Sequence, residues 1–185
     1  MRSTFRQSGF TLIELLVAAT VFTFVILSVS SLFTQALDLQ RRASALQKIQ
    51  DNAQYVIESI SREVRVSTIT SGNTDCNPPD TITTKTLSIK HPVNGDVTYA
   101  YDRTSGIGVI TREVAGGGGP QPITSGDVDF TSFAFCVSGA GVDGQQARVT
   151  MPMTISAVSA RLSAQVTASL ETTIVSRDLA EELTH

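Results

Sequence analysis

Histidine is nearly missing from this sequence: His91 and His185 are the only two. No nucleophile elbow and no Cys–His constellation accompanies them, so the chain offers no recognisable catalytic nucleophile with its base. His91, beside Pro92, reads as a surface residue at a turn. Cysteine is equally scarce, and the distance between Cys76 and Cys136 excludes a CxxC redox pair or a clustered zinc site. In an exported protein the two would form one disulfide; in a reducing compartment they would be two buried thiols. Such a bridge, closing a loop of roughly 60 residues, would add about 4 kcal/mol in the chain-entropy model. There is also no basic surplus: 14 Lys and Arg against 17 Asp and Glu give a net charge of −3. Direct nucleic-acid binding, which needs clustered cations on one face, is therefore not expected. Asp127, Asp129 and Asp143 supply oxygen ligands of the calcium type, but they read as scattered solvated acids. The Gly116–Gly119 run lacks the Lys-Ser/Thr of a phosphate loop and reads as part of a flexible linker, Ala115 to Pro120. No metal and no cofactor is implied, and no enzyme.

Proline is absent from Phe10 to Val66, and both glycine and proline are absent from Leu39 to Val66. Nothing there breaks a helix. Phe10 to Phe33 is 24 residues with Glu14 as its lone charge. As a helix it reaches about 36 Å, enough for a bilayer core of about 30 Å. Arg2 and Arg6 precede it, while Arg41, Arg42 and Lys48 follow closely, so lysine and arginine do not set its orientation. Beyond it, Leu39, Ala43, Leu46, Ile49, Ala53, Val56, Ile57, Ile60 and Val64 recur in steps of three and four. They predict an amphipathic continuation, giving one helix from about residue 10 to 66, roughly 85 Å long. A carboxylate inside the apolar half costs about 2.5–3.5 kcal/mol on insertion scales, and no Lys or Arg lies between Phe10 and Leu39 to neutralise Glu14.

The pattern changes after Ser71–Asp80, a dense cluster of turn residues. Leu87 and Ile89 alternate, as do Val97, Tyr99 and Tyr101, with Asn94-Gly95 between them as a hairpin signal. Ile107 to Val114 predicts a further strand. Val128 and Phe130 alternate, and Phe133, Phe135 and Val137 follow in the opposite phase, so a β-bulge is expected near Thr131-Ser132. Ala147, Val149, Met151, Met153 and Ile155 share one face; Pro152, on the other, points to an edge strand. Val166 to Ile174 is the last strand. The expected fold class is α+β: a long N-terminal helix, apolar then amphipathic, against a mostly antiparallel sheet of about five to seven strands.

The leader followed by Gly9-Phe10-Thr11-Leu12-Ile13-Glu14 resembles the class III signal of type IV prepilins and type II secretion pseudopilins. A small residue, a methylatable Phe and a Glu at the fifth place after the cut carry the resemblance, which extends through the apolar run. It implies that prepilin peptidase cuts between Gly9 and Phe10, that the new amino group of Phe10 is methylated, and that Glu14 pairs in the filament with a neighbour's N-terminus. Asp51-Asn52-Ala53 through Arg62-Glu63-Val64-Arg65, Val97–Tyr101 before Ile110-Thr111-Arg112, and Thr172–Asp178 are similar to the W-type minor pilins and J-type minor pseudopilins, which prime assembly and sit at or near the filament tip. The chain lacks the proline that usually kinks the apolar helix of major pilins.

The resemblance divides the chain into a leader (1–9), a transmembrane and assembly half-helix (10–37), an amphipathic half-helix (38–68) and a β-rich domain (69–185). It implies a single-pass inner-membrane precursor with an extracytoplasmic domain, later part of a periplasmic pseudopilus or a surface pilus. The implied partners are other pilin or pseudopilin subunits, prepilin peptidase/methyltransferase and the inner-membrane assembly platform. The alternative is a membrane-anchored tip adhesin or DNA-uptake binding protein on the same anchor. A cleavable secretory signal is the weaker reading of the run: Ala43-Ser44-Ala45 resembles a cleavage site, but 24 apolar residues exceed an ordinary h-region.

Overall fold

Helix α1 (Leu12–Val64) runs without interruption within the segment that lacks proline. It is drawn from a computed structural model that describes residues 9–74, 85–141, 145–158 and 166–177. The chain divides into two compact units, residues 1–42 and 43–185, and α1 contributes to both. Among the described residues it is the one helix long and apolar enough to cross a membrane.

In the first unit the apolar side chains from Phe10 to Phe33 are exposed all round the helix. Hydroxyls within the run serve themselves. Thr20 Oγ1 donates to the Val17 carbonyl at 2.8 Å, Thr23 Oγ1 to Ala19 at 2.8 Å and Ser28 Oγ to Phe24 at 2.9 Å. Such back-bonding lets a Ser or Thr sit in hydrocarbon without an unsatisfied donor.

The second unit is all antiparallel around one core. β1 (Thr68–Ile69), β2 (Thr86–His91), β3 (Gly95–Asp102), β4 (Val109–Val114) and β5 (Gln121–Pro122) form one sheet in chain order. β6 (Val128–Phe133), β7 (Cys136–Ser138), β8 (Arg148–Ala157) and β9 (Thr167–Val175) form a second, in which β8 pairs with β6 and β7 on one side and β9 on the other. The helix contributes Ala45, Ile49, Ala53, Val56, Ile60 and Val64 to the core, and the sheets meet them with Leu87, Ile89, Val97, Tyr99, Ile110, Phe130, Phe135, Met151 and Ile155. The α+β expectation therefore holds, as does the hairpin: His91 pairs with Gly95, whose φ of +73° suits glycine. His91 Nδ1 accepts from the backbone N–H groups of Val93 and Asn94, which fixes that turn. The bulge also falls where the phase changed, between Phe130 and Ser132, with Thr131 Oγ1 donating to the Thr154 carbonyl.

Other expectations are corrected. Among the described residues there are nine strands in two sheets rather than five to seven in one. β8 is not an edge strand despite Pro152. The Pro152 carbonyl accepts from Ala134 N–H, so its backbone faces the break between β6 and β7, where a missing N–H disturbs no ladder. The buried helix stripe starts at Ala45; Ala43, Leu39 and Leu46 are exposed. Ile107 and Gly108 precede β4 because Gly108 is held against Phe130. The Ala115–Pro120 run is a structured turn between β4 and β5, with Gly117 N–H bonded to the Val114 carbonyl and Ala115 N–H to that of Asp96.

Candidate functional site

Glu14 sits in the first turn of α1, and the sequence around it explains how the helix starts. Thr11 precedes the first helical residue, and its Oγ1 accepts from the Glu14 backbone N–H at 3.3 Å; its carbonyl accepts from Leu15 N–H at 3.2 Å. Thr11 is thus the N-cap and Glu14 the third helical residue, the spacing of a capping box. A carboxylate in this first turn also faces the positive end of the helix dipole. Phe10 lies just outside the helix and is 84% exposed. A Cβ added to Gly9 would meet nothing within 4 Å, so the fold itself does not require glycine there. Among the described residues the Glu14 carboxylate has no hydrogen bond and no ion pair. Residues 1–8, including Arg2 and Arg6, lie outside the description.

A second polar constellation lies in the unit of residues 43–185. Arg112 on β4 grips Glu63 in the last turns of α1 with two nitrogens, Nη2 to Oε1 at 2.6 Å and Nε to both oxygens at 3.1 Å. Tyr99 on β3 donates its hydroxyl to Glu63 Oε2 at 2.7 Å. Burial alone would raise the Glu63 pKa, but the hydrogen bonds from Arg112 and Tyr99 and the Arg112 charge outweigh it, and the carboxyl is held below its ordinary value. The Tyr99 hydroxyl is pushed well up by burial, then by its bond to the Glu63 carboxylate. Arg112 rises through its hydrogen bonds to Glu63. The chemistry is that of a structural anchor, all donors directed at one carboxylate. Sequence reading singled out the three segments that contribute, Arg62–Arg65, Val97–Tyr101 and Ile110–Arg112, without joining them.

A third cluster joins the two sheets. Asp129 accepts from Arg103 Nη2 at 2.9 Å and from Gly108 N–H at 2.8 Å, and Tyr101 donates to the Phe130 carbonyl at 2.7 Å. Asp127 meets Lys48 at 3.5 Å. These acids are engaged with cations rather than gathered as ligands, and no metal-like cluster exists among the described residues. Asp143 and His185 lie outside the description, as does Cys76. Cys136 is buried at the start of β7 and has no free thiol.

The family model of the prokaryotic N-terminal methylation motif matches residues 4–30. No characterised protein and no solved structure matches the chain.

Proposed function

We infer that this chain, which carries the N-terminal methylation motif of type IV prepilins and pseudopilins, is the precursor of a minor filament subunit, assembled through its N-terminal helix into a type IV pilus or a type II secretion pseudopilus. The observation that carries this reading is the Glu14 carboxylate, partnerless among the described residues and set in an apolar helix. Two charges that are each costly in hydrocarbon become tolerable when they neutralise one another. Cleavage between Gly9 and Phe10 would create that second charge, an N-methylated amino terminus, and a neighbour's terminus meeting Glu14 would fix the axial step between subunits. The exposed Phe10 and the unconstrained Gly9 suit access by prepilin peptidase. Residues 1–9 would be the leader, 10–37 the membrane and assembly segment, 38–68 the amphipathic half-helix and 69–185 the extracytoplasmic domain. A priming or tip role rests on the resemblance of the Glu63, Tyr99 and Arg112 segments to W-type and J-type minor subunits.

Glu14→Ala is expected to leave leader removal and Phe10 methylation intact, read by mass spectrometry. Its recovery in sheared filaments should fall by at least about tenfold, equivalent to about 1.4 kcal/mol. Undiminished recovery would refute the pairing.

The bridge proposed within the domain is Cys76–Cys136. It is supported by the absence of a free thiol at Cys136 and by the Thr74 N–H, which donates to the Val137 carbonyl at 2.8 Å two residues before Cys76. Non-reducing electrophoresis of exported protein should show faster migration than after reduction, and labelling of both thiols in unreduced protein would exclude the bridge.

A further inference from the structure

The nine strands among the described residues leave very unequal edges. The first sheet ends in β1 and β5, each two residues long, and β5 contains Pro122. One side of the second sheet is split between β6, bulged at Thr131, and the three-residue β7. All of these are blunted in the ways that keep sheets from adding strands. β9 is different. It runs nine residues, Thr167 to Val175, with an unbroken register against β8, no proline, no lysine or arginine, and a single charge, Glu171, at its centre.

Its hydrogen-bonding phase is set at both ends. Ala157 N–H donates to the Val166 carbonyl and Ser176 N–H to that of Ala147, so even-numbered residues bond inward to β8. Thr167, Ser169, Glu171, Thr173 and Val175 therefore turn their N–H and C=O groups to the open side. Their side chains are exposed; the hydroxyls of Ser169 and Thr173 share hydrogen bonds with Thr154 and Thr150 of β8, at 3.2 and 2.8 Å. Glu171 stands opposite Pro152 and forms no ion pair among the described residues, while the cation on β8, Arg148, bonds Ser138 Oγ.

We propose that the open edge of β9 is a docking site for an extended strand of a different polypeptide, one that presents a lysine or arginine to Glu171. Main-chain bonds to the five outward residues would supply the attachment, and the central carboxylate the selection of partner. A second copy of this chain fits poorly. Antiparallel β9–β9 pairing with full overlap has its two-fold axis at Glu171 and sets the two carboxylates directly opposite, which is destabilising. Any shift that separates them shortens the ladder.

The test uses the full chain in detergent and a labelled nine-residue peptide of the β9 sequence carrying Glu171→Lys. Saturable binding by fluorescence anisotropy is expected, at least about tenfold tighter than for the same peptide with glutamate retained. The chain variant Glu171→Lys should reverse that preference. Ser169→Pro and Thr173→Pro each remove an outward N–H without touching the β8 ladder and should abolish binding while circular dichroism is unchanged. Equal binding of both peptides, or self-association through β9, would replace the heterologous partner with a second copy and overturn the proposal. So would binding that survives both proline variants. Should the proline variants misfold, the charge reversal alone decides.

Discussion

Glu63→Ala is expected to destabilise the unit of residues 43–185 by about 3 kcal/mol, the low end of the cost of breaking a buried ion pair. The low end applies because the Glu63 and Arg112 side chains remain 16% and 26% exposed. The loss leaves a bidentate guanidinium and a tyrosine hydroxyl without their acceptor, so most of the cost comes from the orphaned donors. Thermal unfolding of the full chain in detergent should show a fall of roughly 6–12 °C for a domain of this size. The carboxylate's lowered pKa adds a second signature. A group whose folded value is depressed stabilises the fold above its unfolded value and stops doing so as pH falls through the folded one. The wild type should therefore lose stability from about pH 4.5 downward, the ordinary value for this carboxyl, and Glu63→Gln should remove that part of the slope. Identical slopes in the two proteins would show that the anchor contributes nothing.

Gly108→Ala should cost at least about 3 kcal/mol, at the severe end for overpacking. A Cβ there would lie 2.0 Å from the Phe130 carbonyl oxygen and 2.9 Å from Tyr101 Cε2. Neither neighbour moves freely. The Phe130 oxygen is bonded by the Tyr101 hydroxyl, and the Phe130 N–H by the Gly108 carbonyl. Gly126→Ala, where a Cβ meets nothing within 4 Å, is the matched control and should be close to neutral. Denaturant titration of the three proteins decides the matter: equal midpoints would mean the sheets are not locked at this point.

The helix, the hairpin and the bulge were legible because each is written in local periodicity. The bulge is the clearest case: the phase slip between Phe130 and Phe133 is the register shift itself. Strand neighbours were not legible, since a period of two says which face a residue takes and not which strand lies beside it. Hence Pro152 pointed to an edge, while β8 lies at the centre and turns that backbone position to a break in the opposing strands. The N-terminal motif could be read because Gly9 to Glu14 is contiguous. The Glu63–Arg112–Tyr99 anchor could not: its residues come from three segments, with Glu63 and Arg112 separated by 49 positions.

The placement of β8 also bears on the order in which the protein is made. Among the described residues, β6 and β7 have no partner in their sheet until β8 arrives, and β9 pairs with nothing else. The final closure is longer still: Ser176 Oγ donates to the Ser67 carbonyl at 2.6 Å, and Arg177 N–H to that of Arg65 at 3.2 Å. A chain emerging N-terminus first thus completes its helix early but holds Val128, Phe130 and Phe135 without their sheet until β8 is synthesised. Pairings so distant in sequence form slowly. The interval before β8 is therefore when this domain's apolar strands most need shielding from other chains.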